Sequence, residues 1–266
     1  MNLNFLKRNF FFVLFLGLMA STVVSCGSDN EIASVCMTDK APVYSKPSKK
    51  EGTLLSAVSL GEKLTFLDEK EEDEKGKKYL KVKLVDGNEG WILADYVVVK
   101  AMPGVIYEKM NIYSRPDLAS ITKKTLDEMD IIAIVTRKDD WIEIIAKRTT
   151  GKGTEKGWIK DKGYSEGTTD LAAAVFITRA MGITQPDERL TELKAVMDND
   201  NLSGSSFHHI LLSEIRKIDP TAYPSEEEYM EELQAKAAQE AEAAQAAAEQ
   251  VATPDTAKVI NEQAPQ

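Results

Sequence analysis

Side chains able to do chemistry are scarce in this chain of 266 residues. There are two cysteines, Cys26 and Cys36, and two adjacent histidines, His208 and His209. Two cysteines make neither a disulfide framework nor a four-cysteine zinc site. Neighbouring residues on a helix point about 100° apart, so His208 and His209 cannot clasp one ion from the same face. No third soft ligand other than Cys36 is at hand, and no metal or cofactor is implied. A cysteine peptidase needs a Cys paired with a His from elsewhere in the chain, and a zinc amidase needs separated histidines with a carboxylate. A muramidase needs only two carboxylates, but nothing in the sequence brings two acids into one groove. The expectation is therefore that the chain is not an enzyme. What does recur is aromatic: Tyr44, Trp91 and Tyr96, then Tyr113, Trp141 and Trp158. Such side chains line grooves that hold peptides.

The elements that must position those aromatics come in two copies. Ala41-Pro42-Val43-Tyr44-Ser45-Lys46-Pro47 returns as Met110-Asn111-Ile112-Tyr113-Ser114-Arg115-Pro116, and Gly90-Trp91-Ile92-Leu93 returns as Gly157-Trp158-Ile159-Lys160. Between these landmarks each copy has two short alternating apolar runs. They are Leu64–Leu67 and Tyr79–Leu84 in the first, and Ile131–Val135 and Trp141–Ile144 in the second. Alternation of period two, rich in β-branched and aromatic residues, predicts half-buried strands. About five such strands in ~60 residues make a small barrel whose closure removes exposed edges.

The order Val-Tyr-Ser-x-Pro, Gly-Glu-x-Leu-x-Phe-Leu, Tyr-Leu-Lys-Val-Lys and Gly-x-x-Gly-Trp-Ile-x-x-x-Tyr resembles the bacterial SH3-like domain. Residues 36–99 carry all four elements. Residues 104–164 keep Ile112–Pro116, Trp141–Ile144 and Gly157-Trp158-Ile159, but have Glu128 or Asp130 where Gly61 would align. The resemblance implies a non-catalytic barrel that binds cell-wall stem peptides, cross-bridges or another envelope peptide. It makes Tyr44, Trp91, Tyr96, Tyr113, Trp141 and Trp158 the ligand-binding candidates. Each of them could equally be a core plug. Lys46 and Arg115 precede the two prolines and could pair with a ligand carboxylate.

Charge separates the copies. The first has an acidic hairpin, Asp68–Lys78, which shrinks to Lys138-Asp139-Asp140 in the second. The second instead has a basic insertion, Ala146–Lys156, with Lys147, Arg148, Lys152 and Lys156 against Glu155. Both read as solvated turns, the basic one with a possible contact to anionic polymer or lipid headgroups. Arg148–Gly153 lacks the glycine spacing and following helix of a phosphate loop. Overall, 33 Lys and Arg against 43 Asp and Glu give −10 and a pI near 4.9, which argues against a nucleic-acid binder.

The first residues bear on the compartment. Lys7 and Arg8 precede an apolar run, Phe10–Ala20, too short for a spanning helix of roughly 20 residues. Val23-Val24-Ser25-Cys26 follows and resembles the lipobox of bacterial lipoproteins. In that family the signal is cut before the cysteine, which then carries the acyl chains. Residues 1–25 are thus expected to be a lipoprotein signal peptide, Cys26 the lipidation site, and 26–35 a tether, with the membrane as a partner through the lipid. Their removal takes Lys7 and Arg8 and no acid, leaving −12. Gly27, where an inner-membrane retention signal usually has aspartate, favours the outer membrane, on its periplasmic face or at the cell surface. Cys36 is left as an inert single thiol.

Beyond Gly163 the period changes. Thr169 is placed to cap a helix over 170–181 that ends at Gly182, Pro186 opens a second, and Phe207, Ile210, Leu211, Ile215 and Ile218 line a third. These form a helical domain, 168–219, packed on itself or on the second barrel. Ser225–Glu228 reads as a capping box for an acidic Ala/Glu-rich helix, 225–250, and residues 251–266 as a disordered tail. The expected fold is mostly β plus α: two tandem small SH3-like β-barrels, a short α-helical domain and a long Ala/Glu-rich helix. The expected function is binding of peptidoglycan or an envelope peptide. The alternatives are a surface-exposed adhesin or host-protein binder, or a spacer that docks a protein partner through the C-terminal helices.

Overall fold

The computed structural model describes residues 31–148 and 153–223, together with the helical positions 228, 231, 234, 235, 237–239 and 241. The signal segment, Cys26, Lys152, most of the capping box and the tail 251–266 lie outside the described residues. The first sheet comprises β1 (Ile32–Cys36), β2 (Ala41–Tyr44), β3 (Leu54–Val58), β4 (Lys63–Glu72), β5 (Lys78–Lys83), β6 (Glu89–Leu93) and β7 (Val97–Val99). The second comprises β8 (Met102–Ile106), β9 (Met110–Tyr113), β10 (Ile121–Leu126), β11 (Ile131–Lys138), β12 (Trp141–Lys147), β13 (Thr154–Lys160) and β14 (Tyr164–Ser165).

Pairing is antiparallel throughout. The order is β3-β2-β6-β5-β4-β1-β7 in one sheet and β10-β9-β13-β12-β11-β8-β14 in the other, the same strand for strand. Each sheet has seven strands rather than about five. The additional ones are short: β1 begins at Ile32, inside the stretch expected to be tether, and β7, β8 and β14 are too brief to show a period. Closure is also less complete than expected. The end strands of each order do not pair with each other, so β3, β7, β10 and β14 remain edges. Strand β10 carries Lys123 and Lys124, as edge strands commonly carry charge.

Alternating side chains bury one face of each sheet. Leu64, Phe66, Leu80, Val82 and Ile92 meet Cys36, Val43 and Val58 in the first core. Ile112, Leu126, Ile132, Ile142, Ile144 and Ile159 fill the second. Two glycines permit the closest strand approaches. A Cβ on Gly90 would stand 2.5 Å from Val43 Cγ1 and 3.0 Å from the Tyr44 carbonyl oxygen. On Gly157 it would stand 2.4 Å from Ile112 Cγ2 and 2.8 Å from the Tyr113 carbonyl oxygen.

Three helices follow: α1 (Thr168–Met181), α2 (Pro186–Met197) and α3 (His208–Ile218). Gly167, not Thr169, is the residue before α1; Thr169 lies inside the helix, whose start is held instead by neighbouring loops. Asp170 accepts from the Ser206 backbone N–H at 2.7 Å and from Ser205 Oγ at 3.1 Å, which ties the first turn of α1 to the loop entering α3. Pro186 occupies the first turn of α2, where its missing N–H leaves no intrahelical bond unmade. Leu171, Ile177, Leu193, Phe207, Leu211 and Ile215 form one core that continues into Val105, Met129 and Ile131, so the helices dock on the second sheet. They also reach the first sheet, where Arg179 pairs with Asp39 and donates to Ser59 Oγ at 3.1 Å. A smaller cluster of Val35, Met37, Ala101 and Ala133 joins the two sheets.

Candidate functional site

A concavity lined by aromatic residues lies on the first sheet. Strand β4 bulges between Phe66 and Lys70, where Asp68 adopts φ +59°, a left-handed conformation that aspartate tolerates. A bulge bends its strand, here at the base of the outer β4–β5 hairpin. Its tip is set by Asp73, whose carboxylate accepts from the backbone N–H groups of Lys75 and Lys77 at 2.8 and 2.9 Å, with Gly76 at φ +71°. The acidic hairpin expected over 68–78 is thus two strand ends joined by a turn at 73–77, and one of its acids is consumed in making the turn.

Facing this hairpin is the turn between β2 and β3. Ser48 organises it. Its carbonyl oxygen accepts from Gly52 N–H at 2.8 Å, and its hydroxyl accepts from Lys50 and Glu51 N–H at 3.2 and 3.3 Å. Gly52 is required by space, since a Cβ there would lie 2.7 Å from the Ser48 carbonyl oxygen. Lys50 on this turn and Glu74 on the hairpin form an ion pair of 3.7 Å across the gap.

Between the two loops lies a groove of about 530 Å³. Its floor and walls include Pro42, Tyr44, Tyr79, Leu93 and Tyr96, and its rim carries Lys49, Lys50, Asp73, Glu74, Lys75 and Lys77. Of the first-copy candidates, Tyr44 and Tyr96 therefore line the groove. Trp91 does not, although it clusters with Tyr44 and Tyr79 on the same face of the sheet. Lys46 is likewise absent from the lining. Sequence reading missed Tyr79. It stands in an alternating apolar strand, where it reads as core, and only its pairing with Leu93 brings it to the groove. Burial raises the Tyr79 hydroxyl above its ordinary range, opposed by a backbone hydrogen bond from Lys49. Tyr96 sits on a 3-10 turn, Ala94–Tyr96, and its carbonyl oxygen accepts from Met37 N–H at 2.7 Å.

The second sheet repeats the aromatic frame without the groove. Tyr113 takes the place of Tyr44, Trp158 that of Trp91, and Trp141, opposite Lys160, that of Tyr79 opposite Leu93. Tyr113 and Trp141 meet edge to face at 4.8 Å, and Lys160 Nζ stands 4.0 Å over the Trp141 ring. Gly163 occupies the position equivalent to Tyr96, and the β11–β12 turn is only Asp139-Asp140. The hollow there, about 390 Å³, is lined by Asp139, Asp140, Asp161, Lys160 and Lys162, with no aromatic among them. The basic insertion is largely neutralised where it is described: Arg148 pairs with Asp127 at 3.1 Å and Lys156 with Glu143 at 3.2 Å.

The thiol and the imidazoles occupy structural places. His208 Nδ1 and His209 Nδ1 lie 3.0 Å from the Ser205 and Ser206 carbonyl oxygens, at the start of α3. Cys36 is fully buried, with its thiol 3.2 Å from the Thr38 carbonyl oxygen.

This geometry can be set beside known proteins. Residues 39–98 match the bacterial SH3 domain. The matched SH3 domain runs from the loop after β1 into β7, and so contains the whole groove. No curated protein matches the chain. Solved structures that align with it include NlpC2 from Trichomonas vaginalis, at 15% identity over 62% of this chain and 56% of that one, and NlpC1 from the same organism, at 15% identity over 68% and 69%. The chain thus spans just over half of NlpC2, and both superpositions have a TM-score of 0.22, too loose to bear on activity.

Burial, aided by the Glu62 and Asp39 carboxylates, pushes the Cys36 thiol up from 9.0 to about 11. An unfolded chain loses this proton first as pH rises. The stability that Cys36 contributes is therefore whole below pH 9 and is lost as pH approaches 11. Urea unfolding of the wild type and Cys36→Ala at both ends of that window should show the difference between them shrinking by ~2–3 kcal/mol at the alkaline end. Parallel pH profiles would contradict the assigned burial.

Proposed function

We propose that this chain is a non-catalytic, lipid-anchored envelope protein that holds peptidoglycan or an envelope peptide in the groove of its SH3 domain. One observation carries the reading. The domain sets three tyrosines between two braced loops, forming a concavity of peptide-binding size with a rigid apolar floor and polar rim. A bacterial SH3 domain suggests binding to the cell wall. In this reading the second sheet is a further, diverged SH3-like unit whose aromatic face is closed by Lys160. It serves, with the helices, to brace the first. A non-catalytic role is supported by the burial of Cys36 and by the engagement of both histidines with main-chain carbonyls.

The anchor is Cys26 in the lipobox-like Val23–Cys26, with an outer-membrane destination suggested by Gly27. Acyl chains contribute ~0.8 kcal/mol per buried methylene, so two or three hold a protein at a membrane without a spanning helix. Among the described residues no helix is long and apolar enough to cross a membrane. Intact mass of the protein from cell membranes should correspond to a chain starting at Cys26 plus its acyl groups, and an unmodified chain would refute the anchor.

The binding reading is tested by retention on purified sacculi. Tyr96 is half-buried and packs against the edge of the first core, so Tyr96→Ala, with its fold checked by circular dichroism, should lose about tenfold or more in retention. Tyr113→Ala should retain the wild-type level. Undiminished binding by Tyr96→Ala, or an equal loss from both variants, would overturn the assignment to the first-sheet groove.

A further inference from the structure

The rim of the groove is built to an unusual charge balance for so acidic a protein. Four lysines, Lys49, Lys50, Lys75 and Lys77, face two acids, Asp73 and Glu74, on a chain whose net charge is −10. The two acids are also occupied. The Asp73 carboxylate accepts the backbone N–H groups of Lys75 and Lys77, and Glu74 is paired with Lys50. Among the described residues, no ion pair engages the ammonium groups of Lys49, Lys75 or Lys77. Three cations without an ion-pair partner, and a net excess of two positive charges over the rim acids, thus overlook a floor carrying three tyrosine hydroxyls, each able to donate a hydrogen bond.

Resting on the wall-binding reading, we propose that the groove selects ligands by their free carboxylates, with Lys49, Lys75 and Lys77 setting that preference. The turns fix the main chain from which the lysines extend, and the exposed side chains supply charge at the groove. The Ser48 turn places Lys49 and the Asp73 turn places Lys75 and Lys77, on opposite sides of the same floor. The field is local. At physiological salt, charges more than about 8 Å away are largely screened, so the distant acidic surface does little to repel an anion already in the groove. The equivalent end of the second sheet has the opposite balance, with Asp139, Asp140 and Asp161 against Lys160 and Lys162. The preference therefore belongs to the first sheet alone.

The test alters the ligand instead of the fold. Full-length mature protein would be applied to three preparations of sacculi: untreated, with carboxylates converted to amides, and stripped of phosphate polymers by hydrofluoric acid. A charge-assisted hydrogen bond lost at the groove corresponds to about tenfold, so amidation should lower retention by about that factor while stripping should leave it unchanged. The triple variant K49Q/K75Q/K77Q, confined to exposed side chains, should bind untreated and amidated sacculi alike. Equal wild-type retention on untreated and amidated material would overturn the inference, as would a loss confined to the stripped preparation, which would point to phosphate. Failure of the wild type to bind untreated sacculi would instead defeat the wall-binding reading, and the inference with it.

Discussion

Two strands of each sheet come closer together than a side chain allows, and much of the architecture follows from that contact. Where β6 crosses β2, and β13 crosses β9, only glycine fits between the backbone and the branched residue opposite. The next residue along is a tryptophan, and the one it faces is a tyrosine. Close approach at the glycine thus presses an aromatic pair together, and a third aromatic on the neighbouring strand, Tyr79 or Trp141, completes each cluster. The apolar faces of the sheets depend on the same register, because a slip of one residue would turn Val43 and Ile92, or Ile112 and Ile159, to the wrong side.

From one shared frame the two sheets diverge through their loops. The first lengthens its β4–β5 hairpin, bends it at Asp68 and faces it with the Ser48 turn, which raises walls around the aromatic floor. The second reduces the turn of that hairpin to two residues, sets glycine where Tyr96 stands and lays Lys160 over its tryptophan. Its other face meets the helices, with Val105, Met129 and Ile131 joining their core. Two sheets of the same strand order thereby differ: one keeps an open groove, and the other packs against the helices. Arg179, reaching from α1 to Asp39 and Ser59, fastens the first sheet to the rest. The same pairing holds the Asp39 carboxyl below its ordinary range against the opposing effect of burial.

Much of this frame was legible in the residues. The recurring Tyr-Ser-x-Pro and Gly-Trp-Ile segments stand out because steric contact restricts their types at fixed spacing, and they marked both sheets. Helix α2 was readable from Pro186, and the stripes of α2 and α3 from their spacing. The short strands β1, β7, β8 and β14 were not, since two to five residues show no period and their place depends on partners distant in sequence. Thr169 looked like a cap because its type suits one, while the start of α1 is set by tertiary bonds to Asp170. At the site, Tyr44 and Tyr96 were found by motif, but Tyr79 was hidden in a core-like alternation. Trp91 shares the aromatic face of Tyr44 and Tyr79 yet does not line the groove. Lys46 was singled out for its place before proline, whereas the turn directs Lys49 and Lys50 to the groove.

The central claim is that one sheet binds and the other supports. Backbone amide shifts of isotopically labelled protein, followed by NMR during titration with soluble muropeptides, test it residue by residue. The account predicts shifts confined to the groove, at Tyr44, Tyr79, Tyr96, Lys49 and the turn 73–77, with Tyr113, Trp141 and Trp158 unmoved. Saturable shifts centred on the second sheet, or none at the groove, would contradict it.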